Sequence, residues 1–411
     1  MNLETAEATL ATPFPWPRMP VDPPEVYAWL REERPVTRVT TRAGETAWLV
    51  TRYEDVRAVL ADPRVSADQR NPGFPLIFSA NNRDALDKTR SFLRMDPPEH
   101  SLYRRLLSKN FQVKRIEALR PAVQSLVDDA IDVMLAGPHR AVDLVRALAL
   151  PVPSTVLSWI LGVPLEDQAF FNKIAEELGN LGDGSDPSLI DRAQKAHADL
   201  HAYASRLAAE REAVEDPGDD ILGQLVKAAR EGTIPREQVA NIVLVLTIAG
   251  HDTTANMTAL GTLTLLQHPD QLAQLRENPA LIPGAIEELL RYLSIVQLVI
   301  TRVATEDIEV GGVVIPAGEG IIPLNFAANR DDAHYADADR FDIHRQARDH
   351  VAFGYGVHQC MGQPLARLEL HVIFETLIRR IPTLRLAVPV EGVPFKSWSN
   401  INGVSALPVT W

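Results

Sequence analysis

Apolar residues recur at helical spacing, about every 3.6 residues, through most of the 411-residue chain. Several of these segments carry Pro or Asp in the first turn, as helices commonly do. The predicted helices cover residues 24–32, 53–61, 98–109, 117–135, 142–161, 166–177, 187–214, 221–230, 236–266, 270–277, 283–293 and 364–380.

Alternation of apolar and polar residues, the pattern of half-buried strands, occurs only in short segments. The predicted strands cover residues 36–40, 46–50, 300–303, 308–314, 384–388 and 405–410. We find no repeat, low-complexity tract or domain linker. The pattern predicts one mainly helical domain over residues 1–411 with a small β-rich part, and a loosely ordered N-terminal segment at residues 1–18.

Two loops interrupt the helical pattern, at residues 65–93 and 179–186. The first is long and mixed in composition, and the second is rich in Gly and Asp. Long loops in compact proteins are commonly lids or binding loops. A plain surface excursion is an equally good interpretation of each.

The charge balance is acidic, with 54 acidic against 41 basic residues and a net charge of -13. This balance argues against nucleic acid as a partner and against a polybasic membrane anchor. Residues 1–18 lack the basic and apolar regions of a signal peptide. The uncharged stretch 147–165 contains Pro151 and Pro153, which favours a buried core helix over a membrane span. We therefore expect a soluble, cytoplasmic protein.

Cys360 is the single cysteine of the chain, so it cannot form an intrachain disulfide or a multi-cysteine zinc site. Gly354, Gly356 and Gly362 surround it and leave room for a flat cofactor near the backbone. Amides of such a loop and the start of the helix predicted at 364–380 favour a thiolate. A soft thiolate there is what an axial ligand of haem iron requires. A lone cysteine is otherwise most often a small buried apolar side chain.

The segment Phe353-Gly-Tyr-Gly-Val-His-Gln-Cys-Met-Gly362 resembles the haem-binding loop of the cytochrome P-450 family. The resemblance implies that family's fold, a large helical region with a small β-rich lobe around a buried haem. It implies haem b as the cofactor, with Cys360 as the axial thiolate ligand. It also implies cofactor contacts by four other residues of the loop: Phe353, Gly354, His358 and Gly362.

The longest predicted helix, 236–266, has small and polar residues next to an apolar run. Ala249 and Gly250 leave a gap on one helical face, wide enough for a diatomic ligand or a flat ring. The hydroxyl of Thr253 can bond the carbonyl of Ala249, four residues earlier. Asp252 beside it should be costly unless it has a role or a partner. A proton relay and a kinked core helix with a capped Asp fit these residues equally well.

The same residues resemble the Ala-Gly-x-Asp/Glu-Thr segment of the family, which crosses the distal face of the haem. The resemblance implies that Ala249 and Gly250 contact the cofactor and that Asp252 and Thr253 are catalytic. In the family this acid and alcohol deliver protons to dioxygen, so that its O–O bond breaks heterolytically. The pair also argues against a peroxide-specialised member, which would replace it. No catalytic role is expected for His251.

Glu288 and Arg291 lie one turn apart on the same helical face, and in isolation they would be an ordinary surface pair. Their place upstream of the Cys360 loop resembles the Glu-x-x-Arg motif of the family. The segment Asp339-Arg340-Phe341 is similar to the one that completes the motif, although the usual Pro is missing. The resemblance implies that Glu288, Arg291 and Arg340 lock the cysteine loop behind the haem.

Four basic residues, each of which alone would be a solvated surface charge, agree with one cofactor pose: His100, Arg104, Arg302 and His358. His100 and Arg104 share one face of the predicted helix 98–109 and resemble the family's His-x-x-x-Arg pair, which bonds the haem propionates. Arg302 and His358 fall where the family makes further propionate contacts. Charge-assisted pairs of this kind are strong when enclosed.

Other cofactor sites do not fit the sequence. Gly354-x-Gly356 lacks the third Gly and the preceding βαβ unit of a dinucleotide site. No Walker-type loop occurs, and the eleven histidines form no His-Glu-x-x-His motif.

The resemblance implies a haem-thiolate monooxygenase. Such an enzyme inserts one oxygen atom from O2 into an unactivated C–H bond, or performs a related dealkylation or epoxidation, with two electrons from NAD(P)H. The chain shows no flavin, ferredoxin or reductase module, so we expect a monomer that is reduced by a small acidic ferredoxin and its reductase. A basic cluster suits that partner better than a merely solvated helix end: Arg104, Arg105, Lys109, Lys114 and Arg115.

The substrate is expected to be a mostly apolar small molecule. The candidate pocket segments are 72–93, 244–248, 296–300 and 399–404. No charged residue lies in the last two segments. The predicted lining residues are apolar: Leu244, Ile248, Val296, Leu298 and Val299. A polyketide or terpenoid fits such a pocket, which indicates natural-product tailoring or xenobiotic oxidation.

Two other classes of function stay open on the sequence. One is a haem-thiolate enzyme that couples aromatic rings or is driven by peroxide, which product analysis with O2 against peroxide would separate. The other is a haem-based sensor or carrier without turnover. Asp252 and Thr253 argue against a sensor, because a sensor needs no proton relay.

Overall fold

The structure is a computed structural model that describes residues 1–16, 23–78, 91–137, 141–167, 169–170, 173–174, 177, 187–396 and 400–411. Most of these residues are helical, as their spacing predicts. The helices that are described without interruption are α1 (Leu3–Leu10), α2 (Val26–Glu33), α3 (Tyr53–Ala61), α4 (Glu99–Ser108), α5 (Val113–Glu117), α6 (Arg120–Ala136), α7 (Pro151–Leu161), α8 (Pro187–Glu212), α9 (Ile221–Arg230), α10 (Arg236–Gln267), α11 (Pro269–Glu277), α12 (Ile282–Leu293), α13 (Asn325–Ala328) and α14 (Gln363–Arg380).

The described strands form small sheets beside the helical region. They are β1 (Val36–Thr40), β2 (Thr46–Val50), β3 (Val65–Ser66), β4 (Ala141–Asp143), β5 (Arg302–Ala304), β6 (Ile308–Val310), β7 (Val313–Ile315), β8 (Gly320–Pro323), β9 (Arg385–Leu386) and β10 (Pro408–Thr410). The largest sheet has the order β1-β2-β8-β5-β3, in which only β2 and β8 pair in parallel. Strands β4, β10 and β9 form a second sheet, and β6 pairs with β7. The predicted mainly helical fold is confirmed.

Helix α10 is the centre of the helical region and packs against α7, α8, α9, α12 and α14. Every residue from Thr254 to Leu265 is buried, as expected of a helix that is apolar on all sides. Gly261 allows α14 to approach closely, because a Cβ there would lie 2.6 Å from the ring of Phe374. This tight packing fixes α10, and with it the residues around Asp252.

Proline and glycine divide two elements that the periodicity predicts as continuous. The helix predicted at 142–161 begins with the π-helical turn Val145–Ala149 and continues as α7, because Pro151 has no N–H to extend a regular ladder. The strand predicted at 308–314 is the hairpin of β6 and β7. Gly311 and Gly312 have φ of +55° and +79°, which suits a two-residue hairpin turn.

Residues 1–16 of the segment that is expected to be loosely ordered, 1–18, are described. Residues 3–10 form α1, whose first turn is capped by the Asn2 side chain accepting from the Thr5 amide (2.9 Å). Phe14 and Trp16 are buried against Tyr27 and other residues of one hydrophobic cluster. The side chains that anchor this segment are far apart in sequence, so local pattern does not reveal the contact.

The two predicted loops are described only in part. Residues 65–78 include β3, which pairs with β5, while 79–90 and the loop 179–186 lie outside the described residues. In the helix predicted at 166–177, residues 168, 171–172 and 175–176 also lie outside the described residues. Within the described part of the chain, no helix combines the length and apolarity that a bilayer span requires.

Candidate functional site

The loop that carries Cys360 is held in shape by backbone hydrogen bonds and by glycine. The amide of Cys360 donates to the carbonyl of Phe353 (2.8 Å). Gly354 and Gly356 have φ of +71° and +72°, a region that other residues rarely adopt. A Cβ at Gly356 would also lie 2.3 Å from the carbonyl oxygen of Leu60. Both conformation and packing therefore require glycine at this position.

The sulfur of Cys360 lies just before α14 and is accessible to solvent, although it sits deep in the fold. Burial raises the pKa of the Cys360 thiol, and this outweighs the hydrogen bonds from the amides of Gly362 and Gln363 and the charge of Arg104. A cation bound at the sulfur reverses this balance, because a coordinating thiol is deprotonated outright. The thiol therefore suits a metal ligand better than a free nucleophile.

Basic side chains converge beside this loop. The rings of His100 and His358 lie 4.1 Å apart, and Nη1 of Arg104 donates to the Gln359 carbonyl (2.9 Å). Burial, followed by the charge of Arg302, lowers the pKa of His358 to about 2. The structure thus brings together all four basic residues that the sequence predicts, and it adds Arg94.

Arg302 is buried and lies close to Arg94, which is half-buried. Burial and the charge of Arg302 lower the pKa of Arg94 to about 9. Burial also lowers the pKa of Arg302 to about 10. Nη2 of Arg94 donates to the Val299 carbonyl (2.7 Å), and Nη1 of Arg302 donates to the Thr301 carbonyl (2.8 Å). Neutral carbonyls compensate buried positive charge only weakly.

These cations fit a ligand that carries carboxylates. Among the residues that the structure describes, neither Arg94 nor Arg302 has a carboxylate within salt-bridge distance. The nearby Asp96 instead accepts from the amide of Ala67 (2.8 Å) and from the hydroxyl of Ser66. Nδ1 of His358 is buried and has no hydrogen-bond partner among the described residues. Buried unpaired cations are costly, and the two propionates of a haem would compensate them.

The middle of α10 presents the small and polar residues that the sequence singled out. Ala249 is exposed although Thr247 and His251 are buried, so Ala249 lines a cleft inside the helical region. A Cβ at Gly250 would lie 3.1 Å from Leu157 of α7. The space beside Gly250 is therefore filled by Leu157, and the gap that the sequence predicts is at Ala249 alone.

The acid and the alcohol on α10 have different partners. Oγ1 of Thr253 donates to the Ala249 carbonyl at 2.7 Å, which is the hydrogen bond that the spacing predicts. The Asp252 carboxylate pairs with Nζ of Lys396 at 2.9 Å. The backbone carbonyl of Asp252 accepts from Nδ2 of Asn256 (2.7 Å). The partner that a carboxylate in this position requires is thus a lysine far along the chain.

Glu288 and Arg291 form a fully buried pair, with side-chain exposure of 0% for both. The pair is bidentate, with Nε–Oε2 and Nη2–Oε1 distances of 2.7 Å and 2.9 Å. Nη1 of Arg291 also donates to the carbonyls of Asn329 (2.6 Å) and Ala338 (2.8 Å). Such complete hydrogen bonding is what a buried ion pair needs in order to be tolerated.

The prediction for Arg340 is wrong as far as its side chain is concerned. That side chain is 65% exposed and pairs with Asp342 at 3.0 Å. Arg345 takes its place, with Nε 3.3 Å from Oε1 of Glu288 and a side-chain exposure of 12%. Only the backbone carbonyl of Arg340 takes part, accepting from Arg291 (3.4 Å). Asp337 has a φ of +51°, and Arg345 folds back onto this turn, with Nη2 donating to the Asp337 carbonyl (3.0 Å).

The predicted pocket residues divide between core and cleft. Leu244 and Leu298 are buried in separate hydrophobic clusters, so their side chains serve packing. Ile248, Val296 and Val299 are only partly buried. These three are the ones available to line a cavity next to α10.

Sequence reasoning missed four residues around the site: Arg94, Arg345, Glu369 and Lys396. Glu369 of α14 hydrogen-bonds Thr254 of α10, and burial raises the pKa of its carboxyl to about 8. Its Oε2 has no hydrogen-bond partner among the described residues. A charged residue at an apolar position of the 364–380 helix was the available signal for Glu369. Lys396 lies in a loop and Arg94 ends the short 3-10 helical turn Phe92–Arg94, and neither segment has a regular pattern that would single out a charged residue.

Comparison with known proteins gives consistent results. A family model described as Cytochrome P450 matches residues 19–384. The chain is 50% identical over 396 residues to Cytochrome P450-SU2 of Streptomyces griseolus, covering 96% of this chain and 95% of the relative. It is 46% identical over 410 residues to the Vitamin D3 dihydroxylase of the same species, covering 99% and 98%.

A solved structure agrees with these relatives. The crystal structure of the mycinamicin VIII C21 methyl hydroxylase MycCI from Micromonospora griseorubida, bound to mycinamicin VIII, matches with a TM-score of 0.89 at 40% identity. The match covers 97% of this chain and 99% of that one. The chain therefore belongs to the cytochrome P450 family and is a monooxygenase. This family holds its haem through a cysteine thiolate.

Proposed function

We propose that the protein inserts one oxygen atom from O2 into a C–H bond of a mostly apolar natural product of medium or large size. Two electrons come from NAD(P)H through a ferredoxin reductase and a small acidic ferredoxin, and the enzyme acts as a cytoplasmic monomer. The observation that carries the proposal is the acid–alcohol pair Asp252–Thr253 next to the exposed Ala249 on α10.

The thiolate of Cys360 would hold haem b, which would supply the activation of O2 when bound. The amides of Gly362 and Gln363 hold the sulfur. The cations Arg94, Arg104 and Arg302, with His100 and His358, would hold the propionates. The buried pair of Glu288 and Arg291 fixes the chain behind the cysteine loop.

Proton delivery is assigned to the residues of α10. The hydroxyl of Thr253 is anchored on the Ala249 carbonyl, so its oxygen is fixed next to the cleft and can accept or pass a proton there. Asp252, one residue earlier, is the ionisable group that exchanges protons with solvent. An acid and an alcohol in this order favour turnover over a sensor or a carrier, which would need neither.

The substrate class rests on the apolar cleft and on the relatives. Ile248, Val296 and Val299 offer no charge for a small acid. The compounds named for two relatives, vitamin D3 and mycinamicin VIII, are large molecules. These two compounds are the first probes to test. Their binding is measured by the blue shift of the Soret band that follows when a bound probe displaces water from the haem.

Thr253→Ala is expected to uncouple electron consumption from oxidation. With the probe that gives the larger Soret shift, NAD(P)H consumption should continue, while product per NAD(P)H falls by roughly tenfold or more and peroxide rises. The reason is that a positioned proton donor contributes about 10²–10⁴-fold to a rate. Product, peroxide and NAD(P)H are measured in one reaction.

Thr262→Ala is the matched control, because Oγ1 of Thr262 makes the same bond to the Thr258 carbonyl (2.8 Å) farther along α10. Its coupling should equal that of the wild type. If Thr253→Ala and Asp252→Asn both keep wild-type coupling, the acid–alcohol pair takes no part in the reaction.

The basic cluster at α4 and α5 supports a ferredoxin as the electron donor. Arg105, Lys109, Lys114 and Arg115 are exposed. Arg104 connects α4 to the Cys360 loop through the Gln359 carbonyl, so the cluster lies on the cysteine side of the fold. Two apolar side chains are also exposed: Val113 (66%) in α5 and Val357 (57%) in the Cys360 loop. Basic charge around apolar contacts suits an acidic protein partner.

Charge reversal should weaken this docking. In Arg105→Glu with Lys109→Glu, the ferredoxin concentration for half-maximal reduction should rise about tenfold, because each rim charge steers the encounter. Salt should weaken the wild type in the same way, since exposed charges are screened within about 8–10 Å.

The matched control is Lys195→Glu on α8, which reverses the charge of an exposed lysine outside α4 and α5. Arg104 is left intact because it also contacts the cysteine loop. If reduction is insensitive both to the double reversal and to salt, electrons enter at another surface.

A further inference from the structure

Lys396 reaches the proposed proton-relay acid from the C-terminal part of the chain. Its Nζ lies 2.9 Å from Oδ1 of Asp252, and the two side chains are 17% and 14% exposed. In the described residues, Lys396 is the one cation within salt-bridge distance of this carboxylate. The neighbouring His251 is neutral at physiological pH, because burial lowers its pKa to about 4. The charge that holds Asp252 is therefore that of Lys396.

The backbone of Lys396 is fixed by a hairpin of residues 393–396 and 400–405. The Lys396 amide donates to the Gly403 carbonyl (2.9 Å), and the Ser405 amide donates to the Pro394 carbonyl (2.8 Å). Phe395 and Val404 pair as an antiparallel bridge. A lysine on a paired backbone has fewer conformations to lose when its ammonium group binds.

The same hairpin touches α10 a second time, one turn after Asp252. A Cβ at Gly403 would lie 1.7 Å from Oδ1 of Asn256, so only glycine allows this contact. Asn256 in turn donates to the backbone carbonyl of Asp252 (2.7 Å). The hairpin thus contacts both the side chain of Asp252 and the residue that bonds its backbone.

The opposite side of the hairpin is joined to the predicted substrate pocket. Ile401 forms an antiparallel bridge with Val296. The Asn402 amide donates to the Ile295 carbonyl (2.7 Å), and the Gln297 amide donates to the Asn400 carbonyl (3.1 Å). One hairpin therefore both carries Lys396 and pairs with the chain at Val296.

We propose that Lys396 is a positioning residue for proton delivery, and that the C-terminal hairpin couples the substrate pocket to Asp252. The proposal rests on the proposed role of Asp252 in the proton relay. Lys396 holds the carboxylate in one place by a single ammonium contact. Such a contact on a flexible stem is easier to release and remake than the bidentate contact of an arginine. The carboxylate can therefore exchange its partner during turnover.

The experiment compares four variants of the haem-loaded enzyme with the wild type: Lys396→Met, Lys396→Arg, Asp252→Asn and the double variant of Asp252→Asn with Lys396→Met. Methionine keeps an unbranched stem and removes the charge, whereas arginine keeps the charge. Product per NAD(P)H is measured with vitamin D3 or mycinamicin VIII, whichever shifts the Soret band more. Haem content and thermal unfolding midpoint are measured for every variant.

Lys396→Met should lower product per NAD(P)H by about threefold or more, and Lys396→Arg should restore most of it. The double variant should couple no worse than Asp252→Asn alone, because Lys396 acts through that carboxylate. The unfolding midpoints of the wild type, Lys396→Met, Asp252→Asn and the double variant should be non-additive, which reports the ion pair without any turnover. Probe affinity should shift in Lys396→Met, because the hairpin also borders the pocket.

The outcomes separate this proposal from the one on which it rests. Unchanged coupling in Asp252→Asn overturns the proton-relay role of Asp252. Reduced coupling in Asp252→Asn with wild-type coupling in Lys396→Met overturns the role of Lys396 alone. A further loss in the double variant beyond that of Asp252→Asn also overturns it, because Lys396 would then act by another route. The ion pair does not form if Lys396→Met has normal haem content and the midpoint changes of the two single variants add up to that of the double variant.

Discussion

Replacing Arg291 by alanine should leave little folded, haem-loaded protein. The substitution leaves the Glu288 carboxylate, which is 0% exposed, without its bidentate partner and with only the longer contact to Arg345 (3.3 Å). Breaking a buried ion pair in this way costs about 3–5 kcal/mol, out of a net stability of about 5–15 kcal/mol for a typical protein. The carbonyls of Asn329 and Ala338 also lose their donor. The measurements are the soluble yield, the thermal unfolding midpoint and the haem content per protein.

Haem content should fall together with stability because hydrogen bonds connect Arg291 to the cysteine loop. Arg291 donates to the carbonyl of Asn329 (2.6 Å). Oδ1 of Asn329 accepts from the amide of Val351 (2.9 Å). The Val351 carbonyl accepts from the amide of Gly354 (2.9 Å), inside the loop. Loss of the first contact loosens the support of the loop that holds Cys360.

Arg340→Ala is the matched control for Arg291→Ala. It removes an arginine from the same part of the fold, but one whose side chain is 65% exposed. Exposed substitutions of this kind usually change stability by about 0.5 kcal/mol or less. Arg345→Ala should fall between the two, since Arg345 contacts Glu288 at 3.3 Å. If Arg291→Ala melts and binds haem as Arg340→Ala does, the buried pair has no locking role.

The buried pair of Glu288 and Arg291 shows which contacts the sequence predicts and which it does not. Glu288 and Arg291 are one helical turn apart, so their contact follows from helix geometry alone. Their third partner lies in an irregular segment, where Arg340 and Arg345 are equally charged and only five residues apart. Arg345 is the one that folds back, onto Glu288 and onto the turn at Asp337, where φ is +51°. That backbone conformation has no signal in the spacing of apolar residues.

The candidate site follows the same division between local and distant contacts. The bond from Thr253 to Ala249 and the shared face of His100 and Arg104 are local, and the sequence predicts both. The pair of Asp252 and Lys396 joins residues 144 positions apart. Nothing in the sequence shows that a lysine in a C-terminal loop reaches the middle of α10. Contacts of this kind depend on tertiary packing, which spacing rules do not describe.

The sequence predicts the bounds of an element best where the periodic pattern of apolar residues continues without a break. The bounds of β1, β2 and α9 agree with the structure, since their periodicity is regular. The sequence predicts one strand at 308–314, although the structure has a hairpin with its turn at Gly311 and Gly312. The residues on both sides of the turn are mostly apolar, so the pattern shows no break. Sequence periodicity reports burial, whereas turns and breaks are set by the backbone conformations that glycine and proline allow or prevent.

Replacing Cys360 by serine should abolish the absorption band that is diagnostic of thiolate ligation in the reduced, CO-bound protein. A serine hydroxyl keeps the volume of the thiol and can accept the same amide hydrogen bonds from Gly362 and Gln363. It does not ionise as the thiol does, so the soft anionic ligand is lost. Oxidation of the probe substrate should be lost with the band, since electron donation from the thiolate favours O–O cleavage. The spectrum is recorded after chemical reduction, which removes any dependence on the redox partner.

Val357→Ala is the control for Cys360→Ser, because it changes the same loop at a side chain that is 57% exposed. It should keep the thiolate band at full height per protein, and its thermal unfolding midpoint should match that of the wild type. Cys360→His tests the assignment by replacing the thiolate with a different ligand. The imidazole supplies a neutral nitrogen, so any haem it retains should give the CO spectrum of a histidine-ligated protein. A thiolate band that persists in Cys360→Ser would refute the assignment outright, because the chain contains no other cysteine.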